Sequence, residues 1–475
     1  MVGGGAREHT LVWKLAQSPK AKEIYTAPGN AGTAQIAHNL NISPTDIESL
    51  AKIAREKQIE LVVVGPEAPL AEGIVDHFQN LGIPIFGPTK AASKIESSKV
   101  FAKELMQKHG IPCARSASFS DYAEAKEYIQ QQTPPIVIKA DGLAAGKGVT
   151  VADSIPQALD ALSNIMEARA FGAAGDKVIV EERLSGREMS CFAFTDGKTV
   201  IPMASACDYK PIYDGDRGPN TGGMGSYSPP HFLNTELSKT IMETILEPAV
   251  KAMAQEKRPY KGVLYGGLMA SQDGPKVLEF NARFGDPEAQ VTLPLLKTDL
   301  VDIMLAVING SLNQMNIEWS QDACVGVVMA SAGYPGSYKT GFPITGLNNL
   351  DKDMVVFHAG TRVGSEPGQV LTNGGRVLTV VATGKTIAQA REKVYSNISA
   401  IVATIKVNPR DIFVDLFSRL SDSLTSSDYS KHPATVSSHL PRFQLGSGVK
   451  YQDVLIHLVQ SANDEACLIA TGVSG

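Results

Sequence analysis

The sequence predicts an α/β and α+β multidomain protein, and three observations carry that prediction. The chain has 475 residues, which at roughly 150 residues per domain corresponds to about three compact units. Hydrophobic residues make up 43% and charged residues 20%, a globular balance. In the first hundred residues short β-branched runs alternate with helical patterns, and beyond them strand pairs with turn signals dominate.

The elements follow in order. Residues 1–98 form the first unit. "EIYTAPGNAGT" (23–33) and "IELVVVGPEAPL" (59–70) read as strands, with helices expected over 50–57 and 70–81. Strands separated by helices predict a parallel sheet covered on both faces, with ligands at the carboxyl ends of its strands. "MVGGGAREHTLVWKLA" is a glycine turn feeding a helix, an arrangement that can cradle phosphate. Only Met1 and Val2 stand before the glycines, so the first strand of this unit is expected to be missing, and a reading frame starting several residues earlier is expected.

The second unit spans 99–316. "ESSKVFAKELMQKHGIPCA" is a helix stopped by Gly110 and Pro112. "PPIVIKADGLAAGKGVTVA" (134–152) is a strand, a glycine-rich hairpin and a second strand; "DKVIVEERLSGREMSCFAFTDG" (176–197) adds two more. Residues of about 113–190 are expected to form a lid. "DYKPIYDGDRGPNTGGMGSYSPP" (208–230) is polar, glycine-rich and too long for an idle connection, so it reads as a functional loop. A helix over 237–254 and the strands "GVLYGGLMAS" and "PKVLEFNARF" complete the unit. The third unit, 317–412, is a small α+β domain of three strands and the helix "TIAQAREKVYSNISAIV". Residues 413–475 are rich in Ser and Thr and read as a linker-like or partly disordered tail, with one short helix expected in "VKYQDVLIHLVQSANDEACLIATG".

Composition narrows the function. A net charge of −5 argues against a general nucleic-acid or membrane-surface binder. There is no apolar stretch of the roughly 18 residues a membrane span needs, and no apolar core of a secretory signal. The five cysteines are scattered without paired spacing, as expected of reduced thiols in a cytoplasmic enzyme.

The chemistry concentrates in "VLEFNARFGDPEAQ" (277–290). Alternate residues of a strand share a face, so Glu279, Asn281 and Arg283 are expected in one polar row. Glu279 and Asn281 offer hard oxygen atoms suited to Mg²⁺, which takes few protein ligands besides substrate phosphates. Arg283 stands where a guanidinium would grip a transferring phosphoryl group or an acyl phosphate. A merely solvated polar strand face is the weaker reading, because Gly285–Asp286–Pro287–Glu288 continues the cluster. In "IKADGLAAGKGV", Lys139 ends a strand, and Lys147 sits in a loop with Gly142, Gly146 and Gly148. Backbone amides of such a loop can close over a polyphosphate while lysines neutralise it. The competing reading is a flexible hairpin with solvated lysines. "VIVEERLSGREMS" supplies Glu181, Glu182 and Glu188. A strand edge can bind an adenine through its backbone and a later carboxylate can hold ribose hydroxyls; for Glu181 and Glu182 alone a solvated acidic hairpin is the stronger reading.

Lys139, the 142–148 loop, Glu188 and "EFNARFGDPE" together resemble the ATP-grasp enzymes. The order "GGGAREH", "PGNAGT", "VGPEAPL", "IKADGLAAGKGV", "NTGGMGSYSP", "EFNARFGDPE" resembles one family of them, the phosphoribosylamine–glycine ligases, over residues 1 to about 412. That resemblance implies an N-terminal parallel-sheet (Rossmann-like) domain, an ATP-grasp central domain with a lid, and a small C-terminal α+β domain. It implies the ligation of glycine to 5-phosphoribosylamine with ATP and Mg²⁺ or Mn²⁺, through a glycyl phosphate, in purine synthesis. By the same resemblance Lys99 joins Lys139 and Lys147 at the phosphates. Gly5, Arg7, Glu67, Asn220, Thr221, Gly222, Gly223 and Asp286 are expected at the substrates, and Asp208, Arg283 and Lys147 in catalysis. A monomer is expected, with an oligomer left open. Three departures stand out, the first being the missing first strand, which bears on the Gly3–Gly5 loop. Many relatives carry Asp-His-Lys-Arg where this chain has Asp208-Tyr209-Lys210-Pro211, and the tail matches nothing in the family. The competing readings are another ATP-grasp carboxylate–amine ligase or carboxylase, and an inactive ATP-binding homologue.

Overall fold

The computed structural model describes residues 1–143, 148–213 and 217–403, and the backbone of 455–460 and 466–471. The sequence period sets the first layer. Five short parallel strands lie in the order His38–Asn39, Tyr25–Pro28, Val2–Gly3, Val62–Val63, Ile85–Phe86, with Val2 bridged to Val64 across the centre. The expectation of a missing first strand is therefore corrected. Val2 and Gly3 are a strand, buried in the middle of the sheet between the four-residue Tyr25–Pro28 and the two-residue Val62–Val63. The helix expected over 70–81 is two helices, Glu67–Glu72 and Ile74–Asn80, broken at Gly73. Gly73 has φ of +98°, a left-handed conformation that ends a helix at little cost only for glycine.

The segment expected as a lid contains a four-stranded antiparallel sheet in the order Ser116–Phe119, Val178–Glu182, Ile136–Ala140, Val149–Ala152. Helices Tyr122–Gln130 and Ile155–Met166 pack on it through a core of its own that includes Ile129, Ile138, Leu162 and Val180. The strand Arg187–Thr195 follows in sequence but belongs to the next sheet, beside Gly262–Ser271 and Gly274–Asn281. That sheet is packed by the long helix expected over 237–254. It runs as Thr235–Ile241, a π turn Met242–Leu246 and Glu247–Gln255. Pro248, lacking an N–H, sits just after the π turn, where the ladder has loosened to admit it.

The segment expected as a long functional loop is mostly strand. Cys207–Asp208 pairs with Gly225–Ser228, and Pro211–Tyr213 forms a hairpin with Arg217–Asn220. Gly225–Ser228 then pairs with Ala323–Ala330, so the central unit donates an edge to the C-terminal sheet, completed by Arg376–Gly384 and Val355–His358. Helix Ile387–Ile398 covers that sheet. In the tail the expected short helix is replaced by an antiparallel pair, Leu455–Gln460 with Ala466–Thr471; "LIHLVQ" and "ACLIAT" are β-branched, near-continuous apolar runs that suit strands better than a helix face. The rest of the tail, expected to be poorly ordered, lies outside the described residues.

One apolar cluster binds the units together. Leu11 and Leu15 of helix Ala6–Leu15 share it with Phe284, Leu293, Met304, Cys324 and Val381. His9 extends the seam. Its Nδ1 accepts the His358 N–H at 2.8 Å, its ring meets Phe357 edge-on, and burial pushes its pKa down to about 3. His9 is thus a neutral packing residue between the first and third units.

Candidate active site

Strand Gly274–Asn281 carries the centre of the site. Its register against Gly262–Ser271 slips so that Gly267 faces Glu279 while Leu268 faces Val277. Leu278 is the extra residue of this β-bulge, and its carbonyl, freed from the ladder, accepts a hydrogen bond from Lys139 Nζ at 3.1 Å. Beyond the bulge, Phe280 and Ala282 are buried, as the alternation predicted.

The Glu279 side chain makes no hydrogen bond or ion pair with the described residues. Burial pushes its pKa up, but the fields of Lys99, Lys139, Lys210 and Arg283 outweigh burial and hold it below its ordinary value. A carboxylate surrounded by cations yet touching none of them keeps its oxygen atoms available. Asn281, two residues on and 8% exposed, adds an amide. Among the described residues no three His, Cys, Asp or Glu side chains cluster into a closed metal site. The donor set therefore fits a hard cation that takes its remaining ligands from phosphate and water.

Arg283 does not continue the strand row as expected. The strand ends at Asn281, and the guanidinium turns into a crevice, 3.2 Å from Glu67 Oε2 and 3.0 Å from Glu96 Oε1. It also donates to Asn281 Oδ1 at 3.3 Å, so it still borders the metal-fitting pair. Glu96 is buried and its pKa is raised by that burial, while its Oε2 accepts the Ala282 N–H at 2.7 Å.

The lid side supplies the lysines. Lys99, first residue of helix Lys99–His109, donates to the Gly142 carbonyl at 3.0 Å. Asp141 accepts from the Val100 N–H at that helix's start and from Ser98, which tethers the base of the glycine hairpin. Gly142 has φ of +109°, a turn that glycine alone takes without strain. Gly148 closes the hairpin, its carbonyl accepting the Ala140 N–H at 2.9 Å. Gly146 and Lys147 lie outside the described residues. Glu181 is not a solvated hairpin residue. It is 3% exposed and stands between Lys139, at 2.8 Å, and Lys103, at 3.0 Å. Glu182 binds the Arg115 backbone and guanidinium at 3.0 and 2.8 Å. Glu188 pairs with Lys210, which also holds Asp208 at 3.0 Å. Burial raises the Asp208 pKa against the pull of Lys210. Lys210 thus survives from the altered Asp-Tyr-Lys-Pro stretch as the link between Glu188 and Asp208.

The expected substrate residues meet at the mouth of the N-terminal sheet. Gly5 caps helix Ala6–Leu15. Arg7, 6% exposed, binds Glu8 at 2.7 Å and donates to the Phe284 carbonyl at 3.3 Å, with Glu67 4.0 Å away. A Cβ added at Gly5 would come within 3.9 Å of Asp286 Oδ2. Asp286 in turn holds Arg376 at 2.8 Å, and Arg376 donates to the carbonyls of Gly222 and Gly223. Gly223, with φ of +103°, packs so close that a Cβ would lie 2.4 Å from Pro287 Cδ. Thr221 folds this turn back by accepting the Gly223 N–H at 3.0 Å and donating to the Lys210 carbonyl. Asn220 is exposed at the end of its hairpin strand.

Five residues of the site were missed, or named without a role, in the sequence reading. Glu96 and Lys103 lie on helices whose charged positions look like ordinary solvated faces. Glu288, 2% exposed, accepts from Ser190 and Tyr265 at 3.0 and 2.6 Å. Lys210 was quoted only as part of an altered stretch. Arg376 arrives from the third unit, where no local pattern marks it; the "NGG" turn before it was the available signal that backbone comes close there.

This three-unit architecture has known counterparts. The phosphoribosylglycinamide synthetase N domain matches residues 1–96, its ATP-grasp (A) domain 97–289 and its C domain 324–412. The chain belongs to the phosphoribosylglycinamide synthetase family. A phosphoribosylamine–glycine ligase of Caldanaerobacter subterraneus subsp. tengcongensis is 50% identical over 401 residues, 84% of this chain and 95% of that protein. The trifunctional purine biosynthetic protein adenosine-3 of Gallus gallus is 49% identical over 428 residues, 89% of this chain and 42% of that protein. A solved phosphoribosylamine–glycine ligase of Thermotoga maritima superposes with a TM-score of 0.75 at 34% identity, covering 85% of this chain and 96% of that one. The biotin carboxylase domain of a Hydrogenobacter thermophilus 2-oxoglutarate carboxylase, solved with MgADP, shares the fold at a TM-score of 0.66 and 15% identity, over 85% of this chain and 90% of that one. No helix among the described residues is long and apolar enough to cross a membrane.

Proposed function

We propose that this member of the synthetase family is a phosphoribosylamine–glycine ligase, joining glycine to 5-phosphoribosylamine at the expense of ATP in purine biosynthesis. The observation that carries the reading is the junction of two half-sites. Glu279, whose side chain has no hydrogen-bond or ion-pair partner among the described residues, lies in the field of Lys99 and Lys139, and Arg283 links it to the crevice of Arg7, Glu67, Asp286 and Arg376. The ligase relatives extend along nearly their whole length. The likeness to a carboxylase is one of fold.

A glycine carboxylate is a poor acyl donor. The γ-phosphoryl of ATP passes to a carboxylate oxygen, giving glycyl phosphate and ADP. The phosphoribosylamine nitrogen then attacks the acyl carbon, and inorganic phosphate leaves with the C–O electrons. Lys99, Lys139 and Lys147 would hold the ATP phosphates, and the 142–148 hairpin would keep water from the acyl phosphate. Glu279 and Asn281 would ligate Mg²⁺ or Mn²⁺, which would offset phosphate charge. Glu188 would hold the ribose of ATP. Arg283, fixed between Glu67 and Glu96, would contact the activated glycine, as would Asp208. Gly5, Arg7, Glu67, Asn220, Thr221, Gly222, Gly223 and Asp286 would enclose the sugar phosphate. Positioning and electrostatics supply the rate, and no covalent nucleophile is needed. Burial agrees: it raises the thiols of Cys191 and Cys207 to about 12, where they are inert. We place the reaction in the cytoplasm and assign it to a monomer acting on small molecules.

ADP release by the purified chain with Mg-ATP tests this. Glycine alone should give little, and glycine with phosphoribosylamine, made in situ from ribose 5-phosphate and ammonia, should give ADP and glycinamide ribonucleotide by mass. ADP that depends on bicarbonate instead would overturn the reading.

A further inference from the structure

Lys103 lies on the same face of helix Lys99–His109 as Lys99, one turn further along. It is 3% exposed, and its ammonium is 3.0 Å from Glu181 Oε1. Neither atom is aligned for a hydrogen bond, so a buried ammonium and a buried carboxylate oxygen are both left without one. The other oxygen of Glu181 takes Lys139 at 2.8 Å, and Lys139 reaches on to the bulged Leu278 carbonyl beside Glu279. Two lysines therefore share one carboxylate at the seam between the lid sheet and the helix.

Such an arrangement is expensive to bury. A one-to-one pair of Lys139 with Glu181 would satisfy both charges and leave the seam neutral. The second lysine leaves a formal charge of +1, enclosed where water screens it little. It also divides the pull of Glu181, so that Lys139 stays extended to Leu278 rather than collapsing onto the carboxylate. Lys103 is too enclosed to be a solubility residue.

We infer that Lys103 is a positioning residue for nucleotide binding: through Glu181 it holds Lys139 at the bulge of strand Gly274–Asn281 and keeps a net positive charge under the ATP phosphates. This rests on the ATP-binding role proposed for Lys139. The ion-pair partner of Lys103 is Glu181, which is not a group proposed for glycine or phosphoribosylamine, so the effect is expected on the nucleotide.

Steady-state kinetics of Lys103→Met against wild type test it. The expected result is a rise of about tenfold in KM for ATP, with kcat and KM for glycine changed less than about threefold, and recovery of most of the ATP KM in Lys103→Arg. An unchanged ATP KM, or equal losses for ATP and glycine, would overturn the proposal. If Lys103→Met does not fold, Lys103→Gln, which keeps a polar group beside Glu181 but removes the charge, takes its place. Calorimetric Mg-ATP affinity of folded Lys103→Gln should fall about tenfold, and an affinity within about threefold of wild type would overturn the proposal. A wild-type chain with no ATP binding at all would instead remove the reading on which the inference stands.

Discussion

The lid-facing half of the site and the N-terminal crevice use opposite electrostatic designs. On the lid side Lys103, Lys139 and Lys210 are also paired, but Glu279 feels Lys99, Lys139, Lys210 and Arg283 without touching any of the lysines. In the crevice every guanidinium is already in an ion pair: Arg7 with Glu8, Arg283 with Glu67 and Glu96, Arg376 with Asp286. The first half leaves one carboxylate, that of Glu279, uncommitted beside these cations, in reserve for a ligand that comes and goes. The second uses its charge internally, fixing the shape of a pocket built from all three units. Loss of a lid-side group should therefore remove chemistry, and loss of a crevice pair should loosen geometry.

Glu279→Ala breaks this comparison most sharply. It removes the carboxylate that no neighbour among the described residues can replace. Turnover at saturating Mg-ATP should fall on the order of 10²-fold or more, as when a charge-stabilising element is deleted. Near-normal kcat would reject the metal-ligand role. Lys147→Ala should follow, weakening phosphoryl transfer or ATP binding by roughly tenfold or more with the fold intact by circular dichroism; unchanged ATP kinetics would make the glycine hairpin incidental.

The crevice should respond differently. Arg376→Ala frees Asp286 and the Gly222–Gly223 turn but removes no group proposed to touch reacting atoms. KM for phosphoribosylamine should rise about tenfold, roughly 1.4 kcal/mol, with ATP KM nearly unchanged. A kcat defect as large as that of Glu279→Ala would erase the distinction between the two halves.

How much of this was legible follows the same divide. Glu279 and Asn281 were readable because a strand has a fixed period of two, and apolar Phe280 and Ala282 frame them. The strand pair flanking the glycine-rich turn was readable because short β-branched runs enclose it on both sides. Arg283 was placed in the right neighbourhood with the wrong partners. The strand ends at Asn281, and its true counterions, Glu67 and Glu96, lie some two hundred residues earlier, where no local pattern links them. Arg376 and Lys103 were invisible for the same reason: their partners are set by tertiary approach. The fold class read correctly because periodicity survives in short elements, whereas the two-residue first strand fell below any window that periodicity can use.

The smallest expected effect is on stability, and it falls in the crevice. Burial alone would raise the Asp286 pKa, but Arg376 and Arg7 outweigh it and hold the carboxylate below its ordinary value. A carboxylate that binds its proton less tightly when folded stabilises the fold above its unfolded pKa, about 3.9 for Asp, and that contribution is lost as pH falls through the folded value. Asp286→Asn deletes the pair while keeping an acceptor for Gln290. Melting temperatures of wild type and Asp286→Asn should differ by a few degrees at pH 7, converge below about pH 4, and coincide once Asp286 is protonated. A difference that stayed constant across that range would mean that the side chain acts by packing, and the crevice would lose its claim to be organised by charge.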